Sequence, residues 1–179
     1  MRSGHRNLLA SALAAVALGA GAVTIVAPAE AAPQCPGNVN ARSAAALTAA
    51  ALRESCTQGQ FDRLFTAAEA AKMPMGTMNG QTRPVGGPNV AASSAASAIW
   101  AGKTFHRGWL TNRAFGGEVL PADVYYARSV LDGKRVIRID YRRSGLPFAH
   151  DELRRLPNGV YLGYGFLGAS KAVDFWVWQ

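Results

Sequence analysis

The stretch VYYARSVLDGKRVIRIDY, residues 124–141, decides the fold. It is two runs of alternating apolar and polar residues on either side of Asp132-Gly133. Such a pair between alternating runs is the strongest short-range hairpin signal, because the primed two-residue turn needs φ > 0 at its centre. With Asp132-Gly133 as that turn, Leu131 pairs with Lys134. Val124, Tyr126, Arg128 and Val130 then share a face with Tyr141, Ile139, Ile137 and Arg135, and this is the apolar face. Arg128 stands on it opposite Ile137. A cation turned inward must meet a carboxylate or an anionic ligand head, whereas one at a rim snorkels to water. Both readings stand at this stage.

Asn158-Gly159 is a second signal of the same kind. Taken as a two-residue turn, it puts Asp151, Leu153, Arg155, Leu162, Tyr164 and Phe166 on one face. Glu152, Arg154, Leu156, Tyr161, Gly163 and Gly165 fall on the other. Strand glycines leave room for a neighbour or a ligand. Asp151, Glu152 and Arg154 are therefore either a polar cluster at a cavity or a surface salt bridge worth little. Further alternating runs give strands at about 99–105, 109–115, 122–131, 134–142, 150–156, 160–167 and 172–178, with a short one possible near 80–85. An antiparallel series of this kind hides its edges by closing. The expected fold is mainly β, a small antiparallel barrel over 76–179, preceded by a helical extension over 32–75.

That extension reads as a short helical hairpin. Asn40 can cap a helix over 41–55, with Ala44, Leu47, Ala51 and Ser55 on one face. Thr57 and Gln60 match a capping box, and Phe61, Leu64, Phe65 and Ala68 follow at helical spacing. Residues 73–97 are rich in turns, with Met73, Met75 and Met78 as a soft apolar lip. A connection this long reads as a mobile binding loop or a partly disordered one.

Residues 1–31 read as a secretory signal peptide: Arg2, His5 and Arg6, then an uncharged apolar run, then Ala29-Glu30-Ala31. The expected location is extracellular or wall-associated, with no stable membrane span after cleavage. Cys35 and Cys56 form an even pair in an oxidising compartment and read as a disulfide, worth about 3 kcal/mol by chain entropy. Without Arg2, Arg6 and Glu30, the basic and acidic counts fall from 19 and 11 to 17 and 10, a net charge of +7. That charge suits loose association with an anionic cell-envelope surface. The arginines are scattered and no recognition motif accompanies them, so nucleic acid is not the expected partner.

Catalytic patterns are thin. There is no Gly-x-Ser-x-Gly elbow, and no metal-ligand spacing or phosphate loop, so no cofactor or metal is expected. His150-Asp151-Glu152 is a contiguous acid/base cluster, but strand neighbours point to opposite faces.

The segments Trp100-Ala-Gly-Lys-Thr-Phe, Asn112-Arg113, Leu131-Asp-Gly-Lys, Ile139-Asp-Tyr, Asp151-Glu-Leu-Arg and Gly159-Val-Tyr-Leu-Gly together resemble a group of largely uncharacterised secreted actinobacterial proteins with a lipocalin-like (calycin) barrel. The resemblance runs from Trp100 to Gly163. It implies an eight- to ten-stranded antiparallel barrel able to hold a small lipophilic molecule. The Gly-x-Trp of true lipocalins stands reversed here, as Trp100-x-Gly102.

The leading expectation is a secreted protein that binds a small lipophilic or amphipathic ligand. Trp100, Tyr126 and Tyr141 would line its site, and Arg128, or Arg154 beside Glu152, would hold an acidic head. A secreted enzyme using Asp151 or Glu152 as general acid/base is the second reading. A basic wall-associated module with a filled barrel is the third. Whether the barrel is hollow separates them.

Overall fold

The computed structural model describes Cys35, Val39, residues 43–70 and residues 72–179. The leader at 1–31 and the Asn40 cap lie outside those residues. Eight strands form one closed antiparallel barrel in simple sequence order: β1 (Gly76–Pro84), β2 (Trp100–His106), β3 (Trp109–Ala114), β4 (Gly117–Arg128), β5 (Arg135–Asp140), β6 (Ala149–Arg155), β7 (Tyr161–Leu167) and β8 (Ser170–Trp178). Closure comes from the pairing of β1 with β8, Asn79 opposite Trp178 through Pro84 opposite Val173. No helix among the described residues is long and apolar enough to cross a membrane.

Three helices accompany the barrel: α1 (Ala45–Glu54), α2 (Gln58–Ala67) and α3 (Val90–Ile99). The Thr57–Gln60 capping box starts α2 as the sequence indicates. In α1 the buried face is Thr48, Ala49, Ala51 and Leu52, while Leu47 faces solvent, so the stripe is rotated from the expected one. Its Leu52 carbonyl is held by buried Arg83, which fixes which side of α1 meets the barrel. The expected loose connection over 73–97 is instead a nine-residue strand and a ten-residue helix. Its Ala/Ser run is helical because alanine is the best helix former and the Asn89 side chain accepts from the Ala92 N–H at the N-cap.

Two apolar cores result. One fills the barrel with Met78, Phe105, Leu110, Val124, Ile137, Ile139, Leu153, Tyr161, Phe175 and Val177. The other lies between the outer wall and the helices, where Leu52, Phe61 and Phe65 pack on Leu162, Tyr164, Phe166 and Trp176. Cys35 and Cys56 are disulfide-bonded within this outer core.

Both hairpin registers differ from the two-residue expectation. Between β4 and β5 the loop is 130–133: the Ser129 N–H donates to the Lys134 carbonyl at 2.8 Å, and Tyr126 pairs with Ile137. The shift is two residues, so the faces are kept. Between β6 and β7 the loop is 157–159: the Leu156 N–H donates to the Val160 carbonyl at 2.7 Å, with Gly159 at φ +93°. Glycine in that left-handed position is what a three-residue hairpin with a bulge requires. Here the slip is one residue, and in a strand one residue exchanges faces. Leu153 therefore pairs with Gly163 and Glu152 with Tyr164, so Asp151 and Leu153 share the inner face with the two glycines. Glu152 and Arg154 share the outer face with Leu162, Tyr164 and Phe166.

Candidate ligand-binding site

The β1–β2, β3–β4, β5–β6 and β7–β8 connections lie at one end of the barrel, and the inner apolar core stops short of it. A cavity of about 180 Å³ remains, lined by Thr82, Trp100, Lys103, Asn112, Tyr141, Asp151, Val173 and Phe175. Two residues of β2 that strict alternation would separate both reach it. A bulge between Trp100 and Gly102, with Gly102 at φ +128°, turns Trp100 and Lys103 to the same side. A side chain at Gly102 would strike the Met78 carbonyl, so the bulge requires glycine. Two wall glycines seat the aromatic rings and a third stands beside the polar network. Gly80 lies under Trp100, Gly163 under Phe175, and Gly165 beside Val173 and Asp151. Trp100 and Phe175 meet edge to face at 5.8 Å.

Beneath the rings is a closed polar network. Lys103 is 2 % exposed. Its ammonium donates to Asn112 Oδ1 at 2.8 Å, Tyr141 Oη at 2.7 Å and Asp151 Oδ2 at 2.9 Å. Tyr141 donates to the same Asp151 oxygen at 2.8 Å. Asn112 accepts from Trp100 Nε1 at 3.1 Å and donates to the Leu120 carbonyl at 3.2 Å. The Trp100, Tyr141 and Phe175 rings lie 5.0–5.5 Å from the ammonium, within cation–π range. Burial pushes the Lys103 pKa down, opposed by the Asp151 charge. Burial, then the same carboxylate, pushes the Tyr141 hydroxyl well up. Tyr141 is thus a neutral donor, and the Lys103–Asp151 pair carries no net charge. Asp151 Oδ1 accepts no hydrogen bond among the described residues. It lies about where a side chain on Gly165 would reach, at 3.3 Å from such a Cβ.

Of the residues singled out in the sequence, Trp100, Tyr141 and Asp151 come together here. Tyr126 and Arg128 do not: they stand at the opposite end, both exposed, Arg128 donating to the Gly133 carbonyl and Arg135 stacked on Tyr126 at 3.8 Å. The strand ends there, so Arg128 reaches water instead of the interior. Glu152 and Arg154 are neither in the cavity nor on a surface. Fully buried outside the barrel, Glu152 accepts from Ser129 Oγ, the Val130 N–H and Arg138, which holds the β4–β5 loop. Arg154 binds both oxygens of Asp132 and the Phe65 carbonyl, joining that loop to the end of α2. Asp151 and Glu152 face opposite sides of the wall and cannot act as a pair. Lys103, Asn112 and Phe175 were not singled out. Asn112 and Phe175 carry no local signal; for Lys103 the strand glycine Gly102 allows a bulge, whose parity shift shows only in the pairing with β3. Among the described residues no group of three His, Cys, Asp or Glu side chains could hold a metal ion.

No protein-family model and no curated protein matches the chain. A solved structure, the crystal structure of a protein from Thermomonospora curvata, is similar at 14% sequence identity, covering 69% of this chain and 88% of that one, with a TM-score of 0.49.

Proposed function

We propose that this chain is a secreted binding protein that holds one small amphipathic molecule in the open end of its barrel. The observation that carries the reading is the desolvated Lys103–Asp151–Tyr141–Asn112 network at the floor of a cavity, inside a barrel otherwise packed with apolar side chains. Burying an ion pair costs more than filling the same volume with apolar groups, so a barrel built for stability alone has no use for it. The signal-like leader and the disulfide support export. The cavity, about 180 Å³, is close to the size that takes a benzene ring, about 150 Å³. A long acyl chain has no room below it. The lining asks for a flat apolar body against Trp100 and Phe175. The uncommitted Asp151 Oδ1 asks for a hydroxyl or amine donor in place of the acidic head expected from sequence.

Calorimetric titration with phenol, benzylamine, toluene and benzoate tests this. Phenol and benzylamine should saturate, toluene should bind about tenfold more weakly for want of a hydrogen bond to a charged acceptor, and benzoate should not bind. Trp100→Ala should abolish all of it. Absence of saturable binding by any of the four overturns the reading.

A further inference from the structure

The excess positive charge of this chain is not spread evenly. Among the described residues there are sixteen Lys and Arg against ten Asp and Glu. Arg53, Arg83, Lys103, Arg138, Arg142, Arg143, Arg154 and Lys171 are each in an ion pair. Of the eight that are not, six lie at the end of the barrel opposite the cavity: Lys72 before β1, Arg107 in the β2–β3 turn, Arg128, Lys134 and Arg135 around the β4–β5 loop, and Arg155 at the end of β6. The carboxylates at that end are Asp132, already bound by Arg154, and Glu69, whose backbone pairs with Arg155. At the tip of the β4–β5 loop, between these cations, Val130 and Leu131 are 55% and 46% exposed, and Met75 is 50% exposed beside Lys72.

We infer that this end docks on an anionic phospholipid bilayer, the six cations meeting headgroup phosphates and Val130 and Leu131 entering the interface. A ring of unneutralised cations around projecting apolar side chains is the pattern that combines electrostatic attraction with shallow insertion. An anionic polymer would engage the cations but gives no reason for the apolar tip. The barrel would stand with its ligand cavity facing away from the membrane. This surface shares no residue with the cavity, so vesicle binding and small-molecule binding are read separately and either can fail alone.

Co-sedimentation of the folded chain with vesicles of phosphatidylcholine containing 30% phosphatidylglycerol, against vesicles of phosphatidylcholine alone, tests it. Binding should be at least tenfold tighter to the anionic vesicles and should fall with salt. Each cation near the surface is worth about fivefold, so Lys134→Gln/Arg135→Gln should weaken binding by tenfold or more. Arg113→Gln/Arg142→Gln, at the end of β3 and just after β5 on the cavity side, should leave it unchanged. Val130→Ser/Leu131→Ser should remove the part that survives at high salt. Thermal melting of each variant checks that the fold is intact. Equal binding to both vesicle types, or an equal loss in the Arg113/Arg142 variant, overturns the inference. So does displacement by soluble polyphosphate with no effect of Val130→Ser/Leu131→Ser, which would assign the face to a polyanion.

Discussion

Lys103 commits all three N–H bonds to Asn112, Tyr141 and Asp151, so removing it leaves a carboxylate and an amide without their shared donor. Lys103→Met should cost about 3–5 kcal/mol in urea unfolding, the scale for a buried pair broken on one side. The joint replacement Lys103→Met/Asp151→Leu should recover most of that loss, because an apolar pair of similar volume escapes the desolvation penalty. Such a recovery, with phenol binding gone, would show that the network is kept for its ligand and not for the fold; a double variant no more stable than the single one would show the reverse. Gly165 is the complementary position. A methyl group there would lie 2.6 Å from Val173 Cγ1 and 3.3 Å from Asp151 Oδ1. Val173 is short and branched and cannot swing away. Gly165→Ala should therefore cost about 1–3 kcal/mol by overpacking and weaken phenol binding by crowding the free oxygen, both measurable on one sample by melting and titration.

At the scale of elements, the helical layer is pinned to the barrel wall by two buried arginines. Arg83, fully buried, pairs with Asp174 at 3.1 Å, reaches the Leu52 and Cys56 carbonyls and lies over the Phe61 ring. Arg154 does the equivalent for Phe65 and the β4–β5 loop. Asp174→Ala strands the Arg83 charge in the outer core and should cost about 3–5 kcal/mol; an equilibrium urea curve within 1 kcal/mol of the parent would refute the pinning role. These elements also show what the sequence made legible. Strand periodicity, the Thr57–Gln60 cap and the parity of the β4–β5 hairpin are local, and each appears as read. The β6–β7 register did not, because Asn-Gly serves both two- and three-residue turns, and the choice depends on which strand face must cover Phe61 and Phe65. Trp100 and Tyr141 were visible as aromatics at strand ends. Lys103 was not, since a bulge changes the parity of a single strand and only the partner strands reveal it. Glu152 and Arg154 attracted attention as charges among glycines, yet the one-residue slip sends them outward, where a helix and a loop make them structural.

For the whole molecule, acid titration joins the layer to the barrel. Burial pushes the Asp174 carboxyl up to about 6, although Arg83 and Gln58 pull it down. A carboxyl raised above its unfolded value, about 3.9, binds more protons folded than unfolded between those two values. Its contribution to stability therefore grows as pH falls through that window. His150 acts in the opposite direction: burial, then the Arg138 charge, lowers its pKa, so the unfolded chain takes up the proton first and stability falls as pH drops below the ordinary imidazole value, about 6.5. Asp62 and Asp132 enter later. Burial raises Asp62, but its hydrogen bonds from Tyr164, Gln58 and Lys171 outweigh that, and the bond from Arg154 lowers Asp132. Both hold stability above the ordinary carboxylate range and lose it as pH falls below about 3.8, an effect weakened for both by their exposure to solvent. The raw melting curve between pH 7 and 4 should thus be flatter than any of its parts, and the variants should separate them. Relative to Asp174→Asn, the parent should gain stability steadily as pH falls from about 6 to about 4. Relative to His150→Gln, it should lose stability below about 6.5. Both differences should persist at raised ionic strength, because the groups are shielded from the solvent that screens surface charge. Thermal melts of the three proteins in matched buffers measure this, and a parent-minus-Asp174→Asn difference that is constant from pH 7 to 4 would show that Arg83 and Gln58 offset the burial of Asp174 in full.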